Sequence, residues 1–274
     1  MHTHQHPLFR TRNHTLVMGI VNITEDSFSD GGRYLDLDAA IAHAHELIDA
    51  GADIIDIGGE STRPGAQRVD EEVELRRVIP VIEELSACGI TTSVDTMRAR
   101  VADRAANAGV GLINDVSGGL ADPDMLGVMA NIELPVCLMH WKTERFGDAA
   151  GAAHESGNIV NDVYTGLEKL VDSALAAGVK EGNISLDPGL GFAKTAENNW
   201  ALLNGIPTFH QLGYPLLIGA SRKRFIKELA CDIDAATAAV SALSAHAGAW
   251  CVRVHDVAST AAAVKVAYRW NEGT

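Results

Sequence analysis

Ten polar or charged residues fall at or near the ends of short apolar runs: Asn22, Asp56, Asp95, Asn114, Asp115, His140, Asp187, Lys223, Arg253 and His255. One such residue says little, because a polar side chain often caps the helix that follows a strand. A whole set at successive strand ends points to one shared mouth. Asp95, Asn114 and Asp187 offer acceptors and one amide donor. Two carboxylates suit a flat heterocycle with amino and ring N–H groups, since each carboxylate can accept two parallel hydrogen bonds. Lys223, Arg253 and His255 supply donors and positive charge. Asn22 and the segment "ESTRPG" (60–65), with Arg63, add oxygen ligands and another cation. That half suits a phosphate or diphosphate held with Mg2+, an ion that takes few protein ligands and keeps phosphate oxygens and water.

Other chemistries find less support. No Walker A pattern occurs, and the glycine pairs 31–32, 58–59 and 118–119 are weak signals. Zinc would need clustered His or Cys ligands. Ser221 has no base or orienting acid near it in the sequence. The stretch "LLIGASRKRF" (216–225) sets Arg222, Lys223 and Arg224 side by side in a chain of formal net charge −14. A helix N-terminus disfavours cations, so an anion or an electron-rich ring should compensate. By alternation Lys223 turns inward, while Arg222 and Arg224 face the surface or a dimer edge.

Eight β-branched runs must carry these residues: 16–23, 53–59, 90–95, 112–116, 136–140, 184–189, 215–221 and 251–256. Each precedes a stretch of helical period. In 71–88 the stripe is Leu75, Val78, Ile79, Ile82 and Leu85; in 159–178 it is Val160, Val163, Leu167, Leu170, Val171 and Ala174. Gly51, Gly89, Gly109, Gly178 and Gly213 fall where helices should stop. Eight such units predict a single-domain α/β chain, a (β/α)8 TIM barrel over 16–274, ahead of a doubly wound open sheet. Long loops follow the first, second and fifth strands, on the face where barrels carry their sites.

Residues 1–15 read as a flexible tail, in which His2, His4 and His6 are solvated rather than metal-bound. The hydrophobic share of 47% with only 5% aromatics implies a core of Val, Ile, Leu and Ala. The acidic balance argues against nucleic-acid or anionic-membrane partners. No apolar run approaches the roughly 20 residues of a membrane span. Cys88, Cys137, Cys231 and Cys251 form no CxxC pair and read as reduced, mostly buried thiols suited to a cytoplasm.

At these residues the sequence resembles the dihydropteroate synthases of the folate pathway. "MGIVNITEDSFSDGG" (18–32) and "DIGGESTRPGA" (56–66) are followed, in the family's order, by "SVDTMRARVA", "INDVSGG", "LMH", "LDPGLGFAKT", "IGASRKRF" and "VRVHDV". The wording of "GASRKRF" and "DPGLGFAKT" is similar to actinobacterial members. The resemblance covers about Val17 to Trp270. It implies a TIM-barrel transferase that joins 6-hydroxymethyl-7,8-dihydropterin diphosphate to p-aminobenzoate, releasing diphosphate. It further implies that Asp95, Asn114, Met139, Asp187 and Lys223 hold the pterin and that Asn22 binds Mg2+ on the diphosphate. Thr62, Arg253 and His255 would contact the diphosphate region, and Lys223, Arg253 and His255 would serve catalysis. Phe28, Arg63, Pro64, Phe192 and Ser221 would build the p-aminobenzoate site, where sulfonamides would compete. A homodimer is also implied. Leu190 stands where many relatives have Phe in "DPGFGF", and "LMHWKT" diverges after "LMH". Two alternatives remain: a synthase-like paralogue without the activity, and a pterin-binding methyltransferase domain.

Overall fold

The structure is a computed structural model that describes residues 5–10, 14–24, 33–61, 68–142 and 157–272, with the backbone alone at 33–36. The elements are β1 (Leu16–Asn22), α1 (Arg33–Asp49), β2 (Ile54–Gly58), α2 (Glu71–Ala87), β3 (Thr92–Asp95), α3 (Ala99–Asn107), β4 (Leu112–Asp115), α4 (Met125–Ile132) and β5 (Val136–Met139). They continue with α5 (Ile159–Ala176), β6 (Ile184–Asp187), α6 (Ala196–Asn204), α7 (Ile206–Phe209), β7 (Leu217–Ile218), α8 (Arg224–Lys227), α9 (Ile233–His246), β8 (Cys251–Val254) and α10 (Val257–Glu272). The strands lie in the order β6-β5-β4-β3-β2-β1-β8-β7, all parallel. A bridge between Leu186 and Leu216 joins the two ends. The sheet therefore closes into a (β/α)8 barrel, and the open doubly wound sheet is excluded.

The helices end where the sequence signals them. Gly89 and Gly178, just beyond α2 and α5, sit at φ 75 and 99, a region that favours glycine. Asp70 accepts from the Glu72 N–H at the start of α2, and Asn158 from the Asn161 N–H at the start of α5.

Alternation along the short strands decides what faces the barrel axis. Val17 and Val21 of β1, Ile55 and Ile57 of β2, Val94, Ile113, Leu138 and Leu186 pack outward into one core with helix residues such as Val78, Ile82, Val163 and Leu167. The intervening positions point inward. Toward the strand N-termini these are apolar, and Leu16, Met18, Ile54, Leu112, Cys137, Leu217 and Cys251 cluster there. Toward the C-termini the same parity presents Asn22, Asp56, Asp95, Asn114, Met139, Asp187 and Arg253. Period two thus separates a greasy floor from a polar mouth.

The floor needs a cover, and the chain's beginning provides it. Residues Pro7–Phe9 form a 3-10 turn whose Leu8 and Phe9 are buried in the floor cluster. Phe9 meets Trp250 edge to face at 4.9 Å, and Trp250 Nε1 donates to Leu8 O at 3.1 Å. The His6 N–H donates to Gly182 O at 2.9 Å. The expectation of a flexible tail over 1–15 therefore does not hold for residues 5–10, because an open barrel end would leave apolar side chains in water. His6 Nδ1 accepts from the Leu8 N–H; His2 and His4 lie outside the described residues. Of the cysteines, Cys137 and Cys251 are buried, whereas Cys88 and Cys231 are exposed, so the thiols are less uniformly buried than expected. Among the described residues no helix is long and apolar enough to cross a membrane.

Replacing Phe9 with Ala removes a buried ring from this floor, and the expected loss is about 3 kcal/mol of unfolding free energy in urea titrations. An unchanged midpoint would mean that the segment does not seal the barrel.

Candidate active site

Arg253 enters the mouth from β8, and its guanidinium lies between two carboxylates. Nε donates to Asp56 Oδ2 at 2.5 Å and Nη2 to Asp95 Oδ2 at 2.8 Å. Asn114 Nδ2 donates to the same Asp56 oxygen at 3.4 Å. Asp56 Oδ1 is buried and has no hydrogen-bond partner among the described residues, which leaves an acceptor for a ligand donor. Two carboxylates this deep require a counter-charge, and that need overrides the division drawn from the sequence. Arg253 belongs with the acceptors Asp95 and Asn114 rather than with an anion-handling half. Asp56, assigned no separate role above, anchors it.

Across the mouth, Asp187 Oδ1 accepts from the Gly189 N–H at 2.7 Å. Lys223 Nζ donates to Leu190 O and stands 4.8 Å from the centroid of the Phe192 ring, a cation–π distance. Phe192 meets Trp141 at 5.0 Å. Met139 joins Met97, Val116 and Trp141 in a small apolar cluster against which Phe192 packs. The site thus offers buried carboxylates and an amide, two cations and an apolar wall, the set of contacts that a flat polar heterocycle requires.

Burial shifts the ionisable groups in opposite senses. Loss of water raises the Asp95 carboxyl to about 7; Arg253 opposes the rise and Asp56 adds to it. Burial likewise raises Asp187, against Lys223 and the Gly189 N–H. It lowers Lys223 to about 8, against the pull of Asp187. For Arg253 burial acts against the charge, but Asp56 and Asp95 outweigh it and the pKa lies above its ordinary value.

Ser221 and His255 meet at the end of β8, although the sequence shows no base near Ser221. Ser221 Oγ lies 2.9 Å from His255 Nδ1 and accepts from the His255 N–H at 3.1 Å. With backbone and ring of one histidine addressing one hydroxyl, the contact fixes the imidazole's rotation.

The three consecutive cations separate as alternation predicts. Arg222, 46% exposed and at φ 55, forms a two-point pair with Asp234, both contacts at 2.8 Å. Arg224, 93% exposed, pairs with Glu228 one turn on. Only Lys223 turns inward.

Two members of the polar set do not join the mouth. His140 has outward parity on β5, and a Cβ on Gly166 of α5 would come within 2.4 Å of its ring. Asp115 accepts from Ser117 N and Oγ, both at 2.7 Å, and from Gly119 N at 2.8 Å, which fixes the β4–α4 turn. Asn22 ends β1 beside Gly58, where a Cβ would stand 3.3 Å from its Oδ1. Phe28, Thr62, Arg63 and Pro64 lie outside the described residues.

The sequence reading overlooked several supporting residues. Glu74 of α2, buried, accepts from Thr96 Oγ1 at 2.6 Å and pairs with Arg98. Arg98 also donates to Val69 O at 2.5 Å, and Glu60 accepts from the Val69 N–H at 2.8 Å. This network ties the residues flanking 62–67 to the end of β3. Its members are 22 to 38 positions apart in most pairs, so no local pattern announces them. Lys194, just before α6, and Asn199, within it, were also passed over, although Lys194 lies in the quoted "GFAKT".

Residues 18–255 match the family described as pterin binding enzyme. The dihydropteroate synthase of Mycobacterium leprae (strain TN) is 49% identical over 267 residues, covering 93% of each chain. The Xanthomonas albilineans dihydropteroate synthase solved with 4-aminobenzoic acid is similar at TM-score 0.87 and 42% identity, over 95% of this chain and 94% of that one. The Yersinia pestis enzyme in a sulfonamide complex superposes at TM-score 0.89 with 36% identity over the full length of both.

Two measurements test the geometry. Lys223→Ala should lower kcat/KM by at least about a hundredfold, while Arg222→Ala and Arg224→Ala should change it less than about threefold, since exposed charges contribute little. Steady-state kinetics on the three folded variants decides this, and equal losses would refute the inward role of Lys223. Asp95, with a folded pKa raised to about 7, binds more protons folded than unfolded between pH 4 and 7. Its contribution to stability is present at low pH and is lost as pH rises through about 7. Lys223, whose pKa is lowered, acts in the opposite sense as pH rises above about 8. Urea unfolding at pH 5 and 7.5 should show Asp95→Asn losing less stability between the two than the wild type.

Proposed function

Because the chain belongs to the pterin binding enzymes, and among them to the dihydropteroate synthases, we propose that its barrel mouth carries out their condensation with the residues described above. The reaction joins 6-hydroxymethyl-7,8-dihydropterin diphosphate to p-aminobenzoate and yields 7,8-dihydropteroate and diphosphate. The observation that carries the reading is the acceptor group Asp56, Asp95 and Asn114 around one guanidinium, with the buried Asp187 across the mouth. The three relatives named above are all dihydropteroate synthases, and nothing in the site favours methyl transfer.

The pterin's amino and ring N–H groups pair with Asp95, Asn114 and Asp187, and Lys223 donates to its acceptor edge. Met139 and Phe192 supply the apolar faces. Fixed in this way, the exocyclic methylene points to the open end of the barrel. The aniline nitrogen of p-aminobenzoate attacks that carbon, the carbon–oxygen bond to diphosphate breaks with its electron pair leaving on the diphosphate, and the amine's proton is lost to solvent. No protein nucleophile takes part. The chain contributes positioning and charge: Lys223 beside the reacting centre, Arg253 behind the pterin, and His255, held by Ser221, toward the leaving group.

Mg2+ fits this arrangement. Among the described residues no cluster of three or more His, Cys, Asp or Glu side chains could hold a metal, and Mg2+ requires few protein ligands when phosphate oxygens and water complete its shell. Asn22, with room left by Gly58, would be its ligand, and the ion would offset charge developing on the diphosphate. Phe28, Thr62, Arg63 and Pro64 are assigned to the p-aminobenzoate and diphosphate sites on the family resemblance. Sulfonamides would compete with p-aminobenzoate there. A homodimer is supported by the α9–α10 face, where Leu243, Val266 and Trp270 are 68%, 64% and 71% exposed. Leu243 lies on α9 and Val266 and Trp270 lie one turn apart on α10, two helices joined by a His246–Asn271 contact. A cytoplasmic location is supported by the four free cysteines.

The purified protein, given both substrates and Mg2+, should release diphosphate in step with dihydropteroate formation. Asp187→Asn should weaken pterin binding in calorimetry about thirtyfold or more, because its NH2 would face a ligand donor and a charge-assisted pair would be lost. Unchanged affinity in the folded variant would sink the assignment.

A further inference from the structure

We propose that Lys194 is a positioning residue for this reaction: its ammonium group fastens the turn between β6 and α6, and through that turn it fixes Lys223 and the ring beneath it. The inference rests on the dihydropteroate synthase reading of the site. Lys194 Nζ donates to Gly189 O at 2.8 Å, to Phe192 O at 3.0 Å and to His140 O at 3.4 Å. All three are main-chain carbonyls, drawn from two different strand-to-helix connections. The ammonium is thus spent on backbone rather than on a substrate.

The turn needs such a fastening. Gly189 and Gly191 lie at φ 71 and 77, and Ala193 at φ 53, where a residue with a Cβ is disfavoured by about 1–2 kcal/mol. The turn also runs very close to its neighbours. A Cβ on Gly189 would fall 2.0 Å from His140 O, and one on Gly191 would fall 2.8 Å from Lys223 Cδ. Left-handed residues at alternate positions throw successive carbonyls to different sides. Gly189 O and Phe192 O turn to Lys194, while Leu190 O turns to Lys223 Nζ. Two ammonium groups therefore divide the oxygens of one turn. On the far side Asn199, buried, accepts from the Gly191 N–H at 2.7 Å and donates to Thr195 O at 2.7 Å.

The cation is a costly choice at this place. Burial, with Lys223 adding to it, lowers the Lys194 pKa to about 7. Methionine would fill the same space without that penalty. Keeping the ammonium makes sense if the three carbonyls must be held where they are. A loosened turn would let Leu190 O and Phe192 drift, and with them the Lys223 ammonium that both contact.

The test is a double-mutant cycle on diphosphate-release kinetics with Lys194→Met, Lys223→Ala and the pair, with circular dichroism to confirm folding. Lys194→Met should lower kcat about tenfold or more when Lys223 is present. It should cost less than about threefold once Lys223 is Ala, because its effect travels through that side chain. Lys194→Gln, which keeps a donor of shorter reach, should fall between Met and the wild type. Should Lys194→Met fail to fold, the cycle runs on Lys194→Gln with the same criterion. Equal fold-losses in both backgrounds, or wild-type kinetics for Lys194→Met, would overturn the proposal while leaving the synthase reading intact. A wild type that releases no diphosphate would overturn both.

Discussion

The contact of Arg253 with Asp56 and Asp95 is the constraint on which the mouth depends. It links β8 to β2 and β3, strands that are not all sheet neighbours, and so fixes the inner geometry of half the barrel. Carboxylates at this depth are unfavourable without a cation, and a lone cation would be equally unfavourable. The group is nevertheless left short of full satisfaction: Asp56 Oδ1 has no partner among the described residues, and Asp95 is raised to about 7. A ligand that brings donors completes the network. Recognition thereby draws on interactions the folded chain leaves unmet.

The opposite wall follows a different logic. Lys223 and Lys194 are held chiefly by main-chain oxygens of one left-handed turn. Asp187 attracts both without a direct pair to either, and the Gly189 N–H instead occupies one of its oxygens. Burial lowers both lysines, Lys223 to about 8 and Lys194 to about 7, and the attraction of Asp187 offsets only part of that. An ammonium so placed has donor capacity to offer an incoming ligand, which suits Lys223. Leu190 contributes its carbonyl to Lys223 while its own side chain is buried.

Beneath the mouth, stability and function are kept apart by layer. The floor cluster, closed by Leu8, Phe9 and Trp250, buries apolar area below the polar group, toward the N-terminal ends of the strands. The outer core between strands and helices is larger still and is built of buried apolar side chains. These layers can bear the cost of concentrating three carboxylates and two cations within one cavity.

Much of this was legible in the chain. Eight β-branched runs with intervening helical stripes specified the barrel, since period two and period 3.6 are local properties of a sequence. Asp95, Asn114 and Asp187 could be placed at the mouth because each sits at a strand end with the right parity, and Lys223 because it lies in the turn that follows the seventh strand. Parity also distinguishes His140, which faces α5, from Met139, which faces inward, although polarity suggested the reverse. What tertiary structure alone decided were the partnerships: Arg253 with Asp56, Glu74 with Arg98, Ser221 with His255, Lys194 with the carbonyl of His140. Those pairs are separated by 197, 24, 34 and 54 positions. Alternation fixes which way a side chain points, but which charge it meets across the axis depends on how the barrel closes.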